Sequence, residues 1–394
     1  MPTNVIRVGL AALALAWMGM PARAQQPIKI GFVNVMSGPN TAIGNDLRDG
    51  FELGLDHLGR KMAGRPVEVI YADDRMSPEI GKQVTEKLIQ ESKVDFLSGY
   101  NWSNVLIPAL KTAHDSQVFL IGANAGPSQI AGELCSPWFF GVARQNDQPP
   151  VALGEMLNKR GVRKLYIMAP NYAAGKDMAA GVKRLFKGEI VGEEYTRWPD
   201  QLDFAVEMAR IRATAPDAVW AFYPGAAAVQ FFLQYSQAGL KGKIPLYTSF
   251  TAEGLSLPLI KELAEGSFSA QNWVVDMPNP VNQRFVAEFR KKYNRIPSFY
   301  APQAYDAAML INAAVEAVKG DLTKKDAMRA AMRQAKFPNT RGETFRFGKN
   351  HFPIQDVFLE QVVKDAEGNF TLKTVELALK AYQDIYSEKC TMSW

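Results

Sequence analysis

Four strand-then-helix units follow one another between Ile28 and Ile121, and this alternation limits the possible folds more than any other feature. Ile28-Lys29-Ile30-Gly31-Phe32-Val33 is a β-branched run that ends in a Gly/Pro/Asn turn. Leu47, Phe51, Leu55 and Leu58 then fall on one face of a helix. Val67–Tyr71 predicts a second strand and Glu79–Glu91 a polar helix. Val94–Leu97, Ser103–His114 and Val118–Ile121 continue as strand, helix and strand, with Pro108 expected to kink the third helix or mark its start. Strands alternating with helices at this spacing predict a parallel, doubly wound α/β sheet.

The rhythm then restarts. Phe140–Arg144 leads into Gln145-Asn146-Asp147-Gln148-Pro149-Pro150, a polar boundary. Strands are expected at Lys164–Met168, Ile190–Tyr195, Ala218–Phe222 and Leu246–Thr248, and helices at Lys176–Phe186, Phe204–Ala213 and Ala227–Ala238. After Trp273 come three helical stretches, Pro280–Tyr293, Tyr300–Lys319 and Lys324–Ala335, and then β-like segments at Glu343–Phe347, Asp356–Val363 and Phe370–Val375. The late helices need a sheet to cover, and the first unit is the one short of helices. The chain is therefore expected to cross back near Asp276 and again near Gly348. The expected organisation is a leader over 1–24, a first lobe from 25–143 and 276–348, and a second lobe from 144–275 and 349–394 with the C-terminal tail. Arg144, Asp276 and Gly348 mark the expected hinge.

The leader reading rests on Arg7, the apolar run Val8–Met20 and the small residues of Ala22-Arg23-Ala24. These are the parts of a secretory signal peptide cleaved near Ala24. The apolar run spans roughly 20 Å as a helix, against a bilayer core of ~30 Å. Export to the periplasm follows, and an oxidising compartment favours a disulfide between the only two cysteines, Cys135 and Cys390. So long a closed loop is worth roughly 5 kcal/mol on a chain-entropy argument.

Several function classes find no support. Lys and Arg total 45 against 40 Asp and Glu, evenly spread, which argues against a nucleic-acid partner. His57, His114 and His351 stand far apart, and with two cysteines they make a metal site unexpected. There is no Gly-x-Ser-x-Gly, no His-Glu-x-x-His, and no Gly-x-Gly-x-x-Gly after the first strand, where Ser37-Gly38-Pro39-Asn40 stands. Gly175-Lys176 opens a helix, but Pro170 and Asp177 occupy the positions where a phosphate loop carries glycine and a hydroxyl. Asp73-Asp74 and Glu193-Glu194 point to opposite faces of a strand and cannot act as a pair. No cofactor and no catalytic residue are expected, although folds of this build also host enzymes.

Ligands of open parallel sheets sit beyond the carboxyl ends of the strands. Those ends carry Tyr100-Asn101-Trp102-Ser103, Ala123-Asn124-Ala125, Tyr172, Tyr223, Phe250 and Glu253, with Trp273 on a crossover. Rings and small polar groups on both lobes predict two halves of an apolar cleft. Ser103 and Asn104 open a helix, where backbone N–H groups suit a carboxylate.

These turns resemble the periplasmic leucine/isoleucine/valine-binding protein family, the type I solute receptors of ABC importers. The likeness runs from Ile30-Gly31 and Ser37-Gly38 through Gly99-Tyr100 with Ser103 and Asn171-Tyr172 before Gly175. It continues in Ser298-Phe299-Tyr300-Ala301, Ala304-Tyr305-Asp306-Ala307, Phe347-Gly348-Lys349-Asn350 and Gln355-Asp356. The resemblance implies a monomeric receptor that closes two lobes on a small carboxylate or amino acid and delivers it to permease and ATPase subunits. It places Asn101 or Ser103, Ala123 and Ala125 at the ligand carboxylate, Tyr172 opposite, and Glu253 at the ammonium of an amino acid. Ala125 stands where a hydroxyl is usual, which favours a hydrophobic or aromatic carboxylate over an α-amino acid. A branched-chain amino-acid receptor and a ligand sensor of the same fold are the alternatives.

Overall fold

The computed structural model describes residues 26–366 and 368–392 of the 394. The expected leader lies outside the described residues. No described helix is long and apolar enough to cross a membrane.

The first lobe is built on strands β1 (Ile28–Asn34), β2 (Lys61–Met62), β3 (Arg65–Asp73), β4 (Phe96–Gly99), β5 (Phe119–Gly122) and β6 (Phe139–Gly141). Their order across the sheet is β2-β3-β1-β4-β5-β6, parallel except for the β2–β3 hairpin. The connecting helices are α1 (Thr41–His57), α2 (Pro78–Gln90), α3 (Ser103–Asp115) and the short α4 (Ser128–Ala131). Pro108 sits inside α3 rather than at its start. On α1, Ile43, Leu47, Phe51 and Leu55 are buried on one face, each worth about 1.5–3 kcal/mol relative to exposure.

The second lobe has strands β7 (Lys164–Pro170), β8 (Glu189–Thr196), β9 (Ala218–Ala221), β10 (Leu246–Thr248), β11 (Phe268–Gln271), β12 (Arg346–Phe347), β13 (Pro353–Lys364) and β14 (Phe370–Tyr382). Their order is β12-β13-β11-β10-β9-β7-β8, with β14 on β13. β7 to β11 are parallel; β12, β13 and β14 pair antiparallel, so the sheet is mixed. Helices α5 (Gln148–Lys159), α6 (Ala173–Leu185), α7 (Ala205–Thr214), α8 (Ala226–Gln237) and α9 (Leu257–Ile260) belong to this lobe, and α10 (Pro280–Tyr293), α11 (Tyr300–Ala317) and α12 (Lys325–Arg333) follow. The fold class is the expected one: α/β, in two doubly wound lobes.

α5 begins within the polar segment read as a boundary. Pro149 and Pro150 sit in its first turn, where the missing N–H groups have no intrahelical acceptor to lose. α11 packs along α1, because Gly50 leaves room for the Ala301 carbonyl. A Cβ at Gly50 would lie 2.0 Å from that oxygen.

Three chain segments run between the lobes after β6, after β11 and ahead of β12. They meet at the carbonyl of Ala143, which accepts from Asn272 Nδ2 (3.1 Å), Arg341 Nη1 (3.0 Å) and Gln355 Nε2 (2.8 Å). Arg341 is in turn paired with buried Asp306 at 2.6 Å. The sequence pattern predicts the second and third crossings near Asp276 and Gly348. Asp276 is an exposed residue between β11 and α10, and Gly348 follows β12. A further link comes from the C-terminal tail. Cys390 is disulfide-bonded to Cys135, and Asn350 bonds both Ala131 and Asp384, so the tail lies against α4 of the first lobe.

Candidate functional site

β1 lies between β3 and β4 in the first sheet, and β7 between β8 and β9 in the second. These are the two places where strand order reverses, and loops beyond them diverge to leave a crevice. The turn after β4 carries Asn101, Trp102 and Ser103; those after β7 and β9 carry Tyr172, Phe222 and Pro224. The two crevices face one another across a narrow cavity.

Trp102, Tyr172, Phe222, Phe250 and Tyr300 are its ring-bearing walls. Tyr172 stacks on Trp198 of the second lobe, with centroids 4.6 Å apart and planes 10° apart, and Trp198 also meets Trp102 at 5.3 Å. Phe250 packs on Phe299 at 4.7 Å. Such offset ring contacts hold flat apolar surfaces in fixed positions.

The polar groups are few. Arg144 is 3% exposed. Its guanidinium lies 3.8 Å from the Phe250 centroid and 5.2 Å from that of Phe299. Nη1 and Nη2 donate to Asn124 Oδ1 at 3.4 and 3.3 Å, and Nε has no partner. Among the described residues no carboxylate pairs with it. Burial, with Arg341 adding in the same direction, pushes its pKa down to about 10, so it is cationic at neutral pH. Asn124 is fixed in turn by donating to the Asn101 carbonyl at 2.8 Å. The Asn101 side-chain amide and Trp102 Nε1 are buried without partners. α3 and α6 both start at the cavity with no side-chain cap, which adds the positive ends of two helices. Arginine, spare N–H donors and helix N-termini around apolar walls make an anion site for a flat, apolar body.

Seven expected ligand residues line this cavity: Asn101, Trp102, Ser103, Asn124, Ala125, Tyr172 and Phe250. Five do not reach its wall. Tyr100 has φ +61 and turns inward, its hydroxyl on Thr85 at 2.8 Å. Ala123 is a buried residue whose N–H bonds Gly99 O. Tyr223 belongs to the second-lobe core, bonded to Thr196 and packed on Phe204 and Phe231. Trp273 donates to Asn282 at 2.7 Å and borders another cavity. Glu253 closes its own turn, accepting from Leu255 N (2.8 Å) and Ser256 N (3.0 Å), and burial pushes its pKa up to about 8.

Arg144, read from the sequence only as a hinge residue, is the charged group of the site. Asn146, Ala174, Met178, Phe222, Pro224 and Tyr300 also line it unforeseen.

Direct hydrogen bonds join the lobes around the cavity. Ser128 of the first lobe donates its N–H and hydroxyl to Asp177 of α6 at 2.9 and 2.6 Å. Ala226 N at the start of α8 donates to Asn40 Oδ1 at 3.2 Å. Gly225, at φ +63, permits this approach, since a Cβ there would lie 2.0 Å from the Asn40 oxygen. Asn146 bridges Ser103 and Asp177.

A profile of the family described as periplasmic binding protein matches residues 27–367. Leu/Ile/Val-binding protein homolog 6 of Brucella melitensis biotype 1 is 27% identical over 383 residues, covering 94% of this chain and 96% of its own. Among solved structures, an ABC-transporter solute-binding protein from R. palustris in complex with benzoate is 32% identical, with a TM-score of 0.87. That match covers 93% of this chain and 100% of the other. An ABC-transporter solute-binding protein from Rhodopseudomonas palustris BisB5, in complex with 3,4-dihydroxy benzoic acid, is 26% identical with a TM-score of 0.85, covering 91% and 99%. The chain belongs to the periplasmic binding protein family, as a solute receptor of the ABC-transporter type rather than an enzyme.

Proposed function

We propose that this receptor captures an aromatic carboxylate of the benzoate class in the periplasm and hands it to a membrane permease driven by ATPase subunits. The observation that carries the reading is the cavity's charge. It contains one buried arginine without an acidic partner, and among the described residues no aspartate or glutamate lines it to hold an ammonium. Arg144 takes the carboxylate, and the ring lies between Trp102, Tyr172 and Phe250. Asn101 is free to hydrogen-bond the carboxylate or a ring hydroxyl. The solved relatives with benzoate and 3,4-dihydroxy benzoic acid support this class. The names of the curated relatives point instead to leucine, isoleucine and valine, whose ammonium would find no carboxylate in the lining of this cavity.

Binding and closure are one event in this proposal. Ligand enters with the lobes apart, and the lobes shut by bending the segments around Ala143, Asn272–Asn279 and the stretch ahead of β12. The Ser128–Asp177 and Asn40–Ala226 bonds then form. Thermal unfolding of the mature chain with benzoate, 4-hydroxybenzoate, leucine and isoleucine tests the reading. At 100 times its dissociation constant a ligand adds about 2.7 kcal/mol. Stabilisation by the benzoates and not by the amino acids is expected; the reverse pattern would overturn the assignment.

A further inference from the structure

Phe299, one of the rings beside Arg144, also borders a second and larger cavity of about 300 Å³ that opens to solvent. Its apolar walls come from both lobes. Leu255, Trp273 and Leu372 belong to the second, and Ile296 and Pro297 to the first. Two polar side chains stand among them without partners. Glu360, in the middle of β13, is 4% exposed, and its Oε2 has no hydrogen-bond partner. Gln271, at the end of β11, is 2% exposed, and neither atom of its amide is bonded.

A carboxylate and an amide buried unpaired are each costly, and a folded chain retains such groups where something else satisfies them. The nearby cation does not. Arg295 at the rim is committed to Asp46 and, at 2.7 Å, to Asp49. Glu253 also lines the cavity, and Asp276 is close enough to raise the Glu360 pKa further beyond the effect of burial. The charge preference of this cavity is the inverse of that around Arg144. We infer that it is a second binding site, for an apolar amine whose ammonium pairs with Glu360 and hydrogen-bonds the Gln271 carbonyl while its hydrocarbon body lies on Trp273, Leu255 and Leu372.

The probe is phenethylamine, titrated by calorimetry into the mature chain at pH 8.5, with 2-phenylethanol and 3-phenylpropanoate as the neutral and anionic counterparts. The amine is expected to bind at least tenfold more tightly than either. Glu360→Gln, which keeps shape and removes charge, is expected to weaken the amine at least tenfold. Leu372→Trp, on the partly exposed outer strand, fills the cavity and is expected to abolish amine binding with an unchanged circular dichroism spectrum. No measurable binding of the amine, equal binding of the alcohol, or an amine affinity unaffected by both substitutions would overturn the assignment. None of these readings depends on what the Arg144 cavity holds.

Discussion

Replacing Arg144 by methionine separates a ligand-binding cation from a structural one. Methionine keeps a long unbranched side chain against Phe250 and Phe299 but removes the charge. In a complex with benzoate, the carboxylate would lose its buried partner. Truncating one side of such a pair costs about 2–5 kcal/mol, or roughly 30-fold to several thousand-fold in dissociation constant. The unliganded protein should respond in the opposite sense. Arg144 has no carboxylate among the described residues, and an unpaired buried charge costs several kcal/mol. Against that gain stand the cation–π contact with Phe250, about 2 kcal/mol when desolvated, and the bonds to Asn124, about 1–3 kcal/mol. The balance is near zero or slightly stabilising. Calorimetric titration with benzoate, paired with urea unfolding of the ligand-free protein, reads both quantities. The expected signature is binding lost with stability kept. A benzoate affinity within threefold of the wild type would refute the role in binding. A loss of more than about 2 kcal/mol in ligand-free stability would show Arg144 to be a structural cation instead.

Three further outcomes are expected. Gly225→Ala forces a side chain into a conformation that costs about 1–3 kcal/mol, and sets a Cβ against Asn40 only when the lobes are shut, so benzoate affinity should fall about tenfold in titrations. Cys390→Ser removes the tie between the tail and the first lobe and should cost about 2–5 kcal/mol in urea unfolding under non-reducing conditions, with benzoate affinity unchanged, because neither cysteine lines the cavity. His351 is buried, which pushes its pKa down to about 3, with Arg333 and Arg329 adding, and one ring nitrogen bonds the Phe139 carbonyl. The unfolded chain therefore binds more protons between about pH 3 and 6.5, and stability falls as pH drops through that window, by up to about 1.4 kcal/mol per pH unit. Urea unfolding from pH 7 to 4 should show this slope reduced in His351→Gln.

Elements with strong local patterns were legible in the sequence. Pro280–Tyr293 and Leu246–Thr248 match their predicted bounds, since a long amphipathic helix and a short strand-forming run between turn residues carry their own signal. β11 was invisible, because Phe268-Ser269-Ala270-Gln271 is short, wholly buried and without alternation. α5 was hidden because Pro149 and Pro150 read as breakers when they are helix starters. In the site, rings at strand ends were legible as a group but not by direction. Tyr100 and Trp102 are two residues apart in one turn, yet the positive φ at Tyr100 sends its ring into the lobe while Trp102 faces the cavity. The enclosure of Arg144 was not legible for a related reason. A cation in a polar segment looks solvated, and only the packing of Phe250 and Phe299 around it shows that it is enclosed. Trp198, which backs Tyr172, lies in a loop with no helical or strand period to announce it.

In the proposed function, the position of Arg144 on the first segment between the lobes joins specificity to motion. A ligand shifts a conformational equilibrium only by its differential affinity for the two states. With the lobes apart, any small apolar acid or neutral ring can reach the guanidinium. With the lobes shut, the same group is sealed among Phe250, Phe299 and Tyr172, and the closed form is favourable only if an anion cancels its charge. A neutral ring of the right size gains contact with the walls but leaves the cation unpaired, so it does not drive closure. On the proposed reading the interlobe bonds at Asp177 and Asn40 form only in the shut state, and their modest number suits a lock that the ligand must help to turn. Charge recognition and lobe closure are in this way one free-energy term, carried by a single side chain.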